Sequence, residues 1–339
     1  MRLFGPKQDA SGEAREYEEL CRARLDHLVP VREPLVLCSQ IHRSGGTLVS
    51  QLFDGHPECH AHPHELSIGH PRSRIWPQPD LGRPGTWFDI LHEKYADKHF
   101  RYGYRKPAQR SSDTEPELFP FLLPPHLQRR IFEQAASGAA ADRDVLDAYF
   151  TSYFNAWLDN QNLYTGPKKA VTAFAPRMNS KAASIEALFR VYPDGHLISL
   201  VREPRAWYNS ARSQKQTNVE VDDAIYRWRL SAQATIDAAA VYGERVIVLT
   251  YEDLVKDTEG VMRHVADRIG IEWSDVLLEP TFNGRPIRAN SSDRVQRHGV
   301  LRDRTTAYEV ALDPETIARV DELAGDLYEQ AREHSVQPA

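Results

Sequence analysis

Residues 35–48 read LVLCSQIHRSGGTL, an apolar run followed by a turn with two glycines. The run predicts a buried strand over residues 35–39, and the sequence after the glycines predicts a helix over residues 47–53. A strand, a tight turn and a helix in this order gather backbone amides and a helix N-terminus around one point, which is a typical binding place for phosphate or sulfate. The stretch therefore predicts an anion-binding loop.

Five residues of this loop are candidates for binding the anion. The glycines let the backbone turn tightly and approach the ligand, and the other three can donate hydrogen bonds. The candidates are Arg43, Ser44, Gly45, Gly46 and Thr47. A ligand-free turn would have the same pattern, so the loop alone leaves both interpretations open. This loop lacks the lysine of the signature G-x-x-x-x-G-K-[ST]. Its absence disfavours a magnesium-dependent nucleotide hydrolase.

A second apolar run leads into a second helix at residues 196–210, which read HLISLVREPRAWYNS. Arg202 follows the predicted strand 196–201 and can bind a phosphate through both arms of its guanidinium group. Ser210 lies about two helical turns further on and can face the same group. A magnesium-dependent kinase of this architecture would need an aspartate near such a strand end, where this chain has arginine. The alternative is that Arg202 is paired with a nearby carboxylate.

Strands and helices alternate along the rest of the chain. Further strands are predicted at 59–66, 170–174 and 245–250, and helices within the first 30 residues and at 126–136, 144–160, 180–191, 205–242 and 314–333. This alternation predicts an α/β fold with a central parallel sheet flanked by helices and with ligands at the carboxyl ends of the strands. Tyr149, Tyr153 and Trp157 repeat at helical spacing, which favours core packing over a ligand platform.

The composition excludes several classes of protein. A net charge of -6 and a pI of about 6.2 disfavour nucleic acid as a partner, so any anion site must be local. The N-terminus lacks the apolar run of a signal peptide, and no segment reaches the roughly 20 apolar residues of a membrane span, so a cytoplasmic location is expected. Cys21, Cys38 and Cys59 have no metal-type spacing and are expected to be reduced thiols.

The two anion motifs together resemble the superfamily of sulfotransferases that use 3′-phosphoadenosine 5′-phosphosulfate (PAPS), in its bacterial and carbohydrate-type branch. Residues 42–47 (HRSGGT) are similar to the family's 5′-phosphosulfate loop, and Arg202 with Ser210 match the arginine and serine that hold the 3′-phosphate there. Residues 251–254 (YEDL) also match a common family segment. The resemblance covers residues 33–292 and implies a P-loop-like fold, PAPS as donor, adenosine 3′,5′-bisphosphate (PAP) as product, and no metal.

The resemblance also suggests how one domain over residues 1–339 is organised. Residues 30–69 would hold the 5′-phosphosulfate loop, and residues 70–165, which are rich in proline and aromatic residues, would form a cap over the acceptor. Residues 166–300 would hold the 3′-phosphate site and a late donor loop, and residues 301–339 the C-terminal helix. Arg285 and Arg288 resemble that late loop and are candidates for binding the 3′-phosphate, whereas plain exposed arginines are the alternative.

Three positions depart from the pattern of the cytosolic members. Arg43 replaces the usual loop lysine, so it can bind the donor and stabilise charge on the leaving phosphate but cannot act as a proton donor. Leu48 stands where some members stack an aromatic residue on adenine. Phe174 stands where these members have a catalytic histidine, and phenylalanine cannot take a proton.

A different residue must therefore serve as the base. Glu65 lies where bacterial and carbohydrate-acting relatives often have a glutamate base, and partial burial would raise its pKa toward a useful value. His62 and His64 are the alternatives. A metal site formed by His60, His62 and His64 is disfavoured because Pro63 interrupts the strand, and these histidines are expected at the surface.

The resemblance predicts an enzyme that transfers a sulfuryl group from PAPS to a hydroxyl or amine acceptor by in-line displacement, with Glu65 as the base. A carbohydrate, a lipid or a small alcohol is the expected acceptor. The alternatives are a non-catalytic protein that binds PAPS or PAP and a nucleotide-dependent phosphotransferase. The sequence leaves the oligomeric state open, including a homo-oligomer.

Overall fold

The structure is a computed structural model that describes residues 10–66, 76–92, 94–105, 117–212, 220–289 and 297–336. Its centre is a five-stranded parallel sheet with the strand order β2-β3-β1-β4-β5. The strands are β1 (Leu35–Cys38), β2 (Cys59–Glu65), β3 (Ala170–Phe174), β4 (His196–Val201) and β5 (Val246–Thr250). Nearly all of their residues are buried, because helices cover both faces of the sheet. The predicted α/β class with a central parallel sheet is confirmed.

Helices pack around this sheet, and several of them lie between β2 and β3 in the chain. The early helices are α1 (Ala10–Asp26), α2 (Gly46–Leu52), α3 (Phe88–Leu91), α4 (Lys94–Tyr102), α5 (Pro125–Ala136), α6 (Asp142–Ala156) and α7 (Ala182–Val191). The later ones are α8 (Pro204–Ala211), α9 (Val221–Tyr242), α10 (Tyr251–Lys256), α11 (Thr258–Ile269), α12 (Tyr308–Ala311), α13 (Pro314–Ala324) and α14 (Leu327–Glu333). A short hairpin pairs β6 (Thr281–Phe282) with β7 (Arg285–Pro286).

Two segments were each predicted as one continuous helix, and this prediction is wrong because each forms two helices. The segment predicted as one helix over 205–242 forms α8 and α9, and the segment predicted over 314–333 forms α13 and α14. The second break has a local cause, because Gly325 adopts a φ of 57° that an α-helix cannot contain. The side chains at helical spacing on both sides of each break still pack on one core, which is why the pattern looked continuous.

The alternation of side chains along the strands divides the core between the two faces of the sheet. Leu35 and Leu37 of β1 belong to a cluster with α6 and α7, whereas Val36 and Cys38 belong to a cluster with α2 and α11. The aromatic stripe of α6 packs in the first cluster, where Tyr149, Tyr153 and Trp157 are at most 2% exposed. The predicted structural role of this stripe is confirmed.

The three histidines of β2 are buried, so the expectation that they lie at the surface was wrong. Their side chains alternate with Cys59 and Ala61 and therefore face α6, where His60 stacks on Phe154 with ring centroids 5.0 Å apart. Burial lowers the pKa of His60 to about 3 and the pKa of His62 to about 4, so these rings are neutral at physiological pH. Within the part of the chain that the structure describes, no group of three or more His, Cys, Asp or Glu side chains could hold a metal ion.

All three cysteines are buried and unpaired. Burial raises the pKa of the Cys38 thiol to about 12, which keeps it protonated. Among the described residues, no helix is both long enough and apolar enough to cross a lipid bilayer.

Candidate active site

A cavity of about 880 Å³ lies at the carboxyl ends of the strands. Each of the five strands contributes a lining residue from its end or from the segment that follows it: Gln40, Glu65, Phe174, Arg202 and Tyr251. Parallel strands end at one edge of the sheet, so residues that are far apart in the sequence meet there. Seven of the predicted site residues line the cavity: Arg43, Gly45, Gly46, Thr47, Glu65, Arg202 and Ser210.

The two glycines of the first loop are required by their close neighbours, and Gly45 is required by its conformation as well. Gly45 has a φ of 99°, and a Cβ atom there would lie 2.7 Å from the ring of Tyr251. A Cβ atom on Gly46 would lie 1.8 Å from Nε2 of Gln40 and 2.5 Å from the ring of Phe174. Both distances are shorter than van der Waals contact. The loop can therefore lie against the ends of β3 and β5 only because these positions have no side chain.

Replacing Gly46 with alanine is expected to lower the free energy of unfolding by about 1–3 kcal/mol, because the added methyl group overpacks a buried contact. It should also weaken the binding of PAP, because Gln40 and Phe174 must move and the loop with them. Thermal unfolding and calorimetric titration measure the two effects. Gly138→Ala is the matched control, because a Cβ atom there meets nothing within 4 Å. Equal effects of the two variants would contradict the packing argument.

The two predicted anion motifs form one connected structure. Nε of Arg43 donates a hydrogen bond of 2.9 Å to Oγ of Ser210, across 167 positions of the sequence. Nη1 of Arg202 donates to the carbonyl oxygen of Arg43 at 3.0 Å, and Nη2 donates to the carbonyl oxygen of Arg304 at 2.9 Å. The guanidinium group of Arg202 also lies over the ring of Tyr251, 4.3 Å from its centroid. Two arginines and a serine are thus held beside the glycine loop.

Three residues that were predicted to bind the sulfuryl donor are not among the residues that line the cavity. Ser44 is 1% exposed, and its Oγ atom has no hydrogen-bond partner within the described ranges. Arg285 is exposed on β7, and the backbone amide of Arg288 donates to the carboxylate of Glu117 at 2.9 Å. The proposed contacts of these side chains with the donor therefore stay predictions.

Glu65 is the last residue of β2 and pairs in register with Phe174 of β3. Its side chain lines the cavity and is exposed to solvent, although the neighbouring protein removes part of its hydration. The resulting loss of solvation raises the pKa of this carboxyl above its usual value of 4.5, and the charge of Arg177 opposes that shift. A carboxylate with a raised pKa beside the glycine loop is suited to take up a proton.

His62 and His64, the alternative bases, are buried behind Glu65 and do not line the cavity. Burial lowers the pKa of both rings, and Nδ1 of His64 already bonds to the carbonyl oxygen of Glu65 at 3.1 Å. Of the three candidate bases, only Glu65 is placed where an acceptor could reach it.

The model of the sulfotransferase family matches residues 36–275, which include every element of this cavity described so far except Arg304 and its neighbours. The chain belongs to the sulfotransferase family. Membership supports sulfuryl transfer as the general chemistry of this site.

The sequence identity between this chain and individual proteins is low. A segment of 131 residues is 28% identical to protein-tyrosine sulfotransferase A of Caenorhabditis elegans, and it covers 35% of this chain and about a third (34%) of that relative. The sulfotransferase domain from the curacin biosynthetic pathway is 14% identical with a TM-score of 0.47, over 86% of this chain and 96% of the domain. The sulfotransferase domain from the Synechococcus PCC 7002 olefin synthase is 19% identical with a TM-score of 0.46, over 89% and 97%.

The structure shows the surroundings of the three residues at which this member of the family is expected to depart from the cytosolic members. Phe174, which stands in place of a histidine, lines the cavity as an apolar wall against Gly46. Leu48 also lines the cavity, so an aliphatic side chain stands where some members place an aromatic one. Arg43 adopts a φ of 68°, a left-handed conformation that is uncommon for a residue with a side chain.

Eight polar or aromatic residues that line the cavity were not among the predicted site residues: Gln40, His42, Gln51, Tyr208, Asn209, Arg212, Tyr251 and Arg304. Tyr251 could have been predicted, because it follows β5 as directly as Arg202 follows β4. Arg304 could not, because it lies in a 3₁₀-helix of three residues (Arg302–Arg304), which is too short to show a pattern in the sequence.

The aromatic residues of the predicted acceptor cap that the structure describes do not line the cavity. Trp76 is 3% exposed and Tyr104 is 6% exposed, and both pack in the main core. Tyr102 is 65% exposed and is not among the residues that line the cavity. The role of residues 70–165 in binding an acceptor stays a prediction.

Proposed function

We propose that this member of the family transfers a sulfuryl group from PAPS to a hydroxyl or amine acceptor, with Glu65 as the general base. The observation that carries the proposal is the meeting of the glycine loop, Arg43, Arg202 and Glu65 in one cavity. Neither motif alone would distinguish a sulfotransferase from another anion-binding protein.

The charge of the cavity supports an anionic donor. Among the described residues that line it are four arginines, Arg43, Arg202, Arg212 and Arg304, and one carboxylate, that of Glu65. The whole chain has a net charge of -6, so this cluster of cations is local. Guanidinium groups and loop amides are the usual ligands of phosphate and sulfate groups, and each charge-assisted hydrogen bond contributes about 1.5–3 kcal/mol. The site therefore suits a donor with several anionic groups.

In the proposed reaction, the acceptor oxygen attacks the sulfur atom of PAPS while the bond from sulfur to the phosphate oxygen breaks. Glu65 takes up the proton that the acceptor hydroxyl loses. Arg43 and the amides of the glycine loop stabilise the negative charge that develops on the departing phosphate of PAP. Arg202 and Ser210 hold the 3′-phosphate and thereby fix the direction of the displacement. No proton is required from Arg43, whose guanidinium group stays charged.

The acceptor is proposed as a class. Carbohydrates, lipids and small alcohols were expected from the sequence, and the name of the Caenorhabditis elegans relative adds the phenol of tyrosine as a candidate. Trp76 and Tyr104 of the cap pack in the core, so they favour none of these classes over the others.

Titration of PAP into the protein should release measurable heat with one site per chain, because two arginines and a helix N-terminus face the cavity. With radiolabelled PAPS, a panel of carbohydrates, lipids, alcohols and phenols should yield at least one labelled product. The absence of PAP binding would contradict the proposal outright. PAP binding without transfer to any acceptor would favour the non-catalytic binding protein, whereas transfer of phosphate from ATP would favour the phosphotransferase.

A further inference from the structure

The end of β2 leaves the regular ladder just before the proposed base. Ala61 pairs with Thr172 and Glu65 pairs with Phe174, so three residues of β2 stand opposite a single residue of β3. Pro63 lies in this stretch and has no amide hydrogen to donate. Such an irregularity leaves backbone groups without ladder partners and changes the direction in which the following side chain points. The direction of the Glu65 side chain therefore depends on what holds this irregular stretch.

Two histidine side chains contact carbonyl groups of this irregular stretch. Nδ1 of His62 lies 2.9 Å from the carbonyl oxygen of His64, and Nδ1 of His64 lies 3.1 Å from the carbonyl oxygen of Glu65. A carbonyl oxygen can only accept, so each Nδ1 atom carries the proton in these neutral rings. Nε2 of His64 is consequently an acceptor, and the hydroxyl group of Tyr153 donates to it at 2.8 Å.

The chain of hydrogen bonds from α6 to Glu65 is enclosed by protein. Tyr153 is 0% exposed and lies on the face of α6 that packs in the main core. Its ring also lies 4.5 Å from the ring of His62, measured between centroids. The ladder resumes directly after Glu65, where the amide of Leu66 donates to the carbonyl oxygen of Phe174 at 2.7 Å. The peptide that follows Glu65 is thus held on both sides, by His64 and by β3.

We propose that Tyr153 and His64 are positioning residues that fix the Glu65 carboxylate in the cavity. The hydroxyl group of Tyr153 orients the ring of His64, and that ring holds the carbonyl group of Glu65. Neither residue lines the cavity, so both act through Glu65 and not on the acceptor. The inference rests on the proposed role of Glu65 as the base.

Tyr153→Phe is expected to lower kcat roughly tenfold, because a small displacement of a reacting group can cost that much. KM for PAPS and the affinity for PAP should stay unchanged, since the donor site does not involve Tyr153. Tyr149→Phe is the matched control, because this buried tyrosine lies one turn earlier on α6. His64→Asn, which can keep a donor near the place of Nδ1, should lose less activity than His64→Leu. Equal kcat values for Tyr153→Phe and wild type would overturn the inference.

A double-mutant cycle distinguishes positioning from general destabilisation. Glu65→Asp keeps a carboxylate but withdraws it from its place, so Tyr153→Phe should cost less in that background than in the wild type. If the fold-loss of kcat in the double variant equals the product of the losses in the two single variants, Tyr153 does not act through Glu65 and the inference is wrong.

A readout without turnover separates this inference from the proposed function. Tyr153→Phe should move the NMR titration midpoint of the ¹³C-labelled Glu65 carboxyl group toward its ordinary value, because a released side chain is better hydrated. Tyr149→Phe should leave it unchanged. A failure of the protein to transfer sulfuryl groups would overturn the proposed function alone, whereas an unmoved midpoint in Tyr153→Phe would overturn the positioning role.

Discussion

Replacing Glu65 with glutamine is expected to lower kcat by about 10²–10⁴-fold, the usual contribution of a general base. The glutamine has nearly the same shape but cannot take up the proton of the acceptor. PAP affinity should change little. Glu65 lies beside the glycine loop, but it is not assigned to the binding of any anionic group of PAP. Steady-state kinetics with a responsive acceptor and calorimetric titration of PAP measure the two quantities. Glu259→Gln, which removes a carboxylate from an exposed ion pair on α11, is the control.

The pH dependence gives an independent test of the same role. The pKa of Glu65 is raised by the loss of solvation, so the active, ionised form is lost at a higher pH than for an ordinary glutamate. The rate should therefore rise with pH through a midpoint above 4.5 and then level off. Glu65→Gln should lack this limb of the profile. An unchanged rate in Glu65→Gln would show that another group is the base.

Replacing Arg202 with alanine is expected to weaken PAP binding by about 10²–10⁴-fold, because two charge-assisted hydrogen bonds of about 1.5–3 kcal/mol each would be lost. Arg202→Lys keeps the charge but not the fork, so its affinity should fall between those of the wild type and the alanine variant. Calorimetric titration at several salt concentrations measures the change and its electrostatic part. Arg263→Ala removes an exposed arginine from α11 and should leave PAP affinity unchanged.

Arg202 also has a structural role that this experiment must separate from ligand binding. Its two Nη atoms join the glycine loop to the segment around Arg304. Thermal unfolding of each variant without PAP measures the loss of that connection. A fall in stability with unchanged PAP affinity would show that Arg202 is a structural link between two loops, and the assignment of the 3′-phosphate site would be wrong.

Much of the site could be predicted from local patterns. The strands over residues 170–174 and 196–201 match β3 and β4 in the structure, because a buried parallel strand needs a continuous apolar run. The rule that ligands lie at the carboxyl ends of such strands then placed Glu65 and Arg202 on one edge. The loop at residues 43–47 was visible because its glycines follow a strand and precede a helix.

The surroundings of these residues could not be predicted in the same way. The histidines of β2 were expected at the surface, but the face of the strand on which they lie is covered by α6, which comes about 80 residues later in the sequence. Local polarity does not indicate which helix will cover a strand. The same limit applies to Ser44, whose neighbours line the cavity while its own side chain is buried.

The sequence by itself determined the parallel α/β fold, the glycine loop and the strand ends that line the cavity, because each depends on the order of neighbouring residues. Only the tertiary structure decided that Arg43 bonds to Ser210, that Arg202 joins the glycine loop to the segment around Arg304, and that Tyr153 lies behind Glu65. Those contacts join residues between 89 and 167 positions apart. They depend on how helices pack on the sheet, which no local pattern specifies.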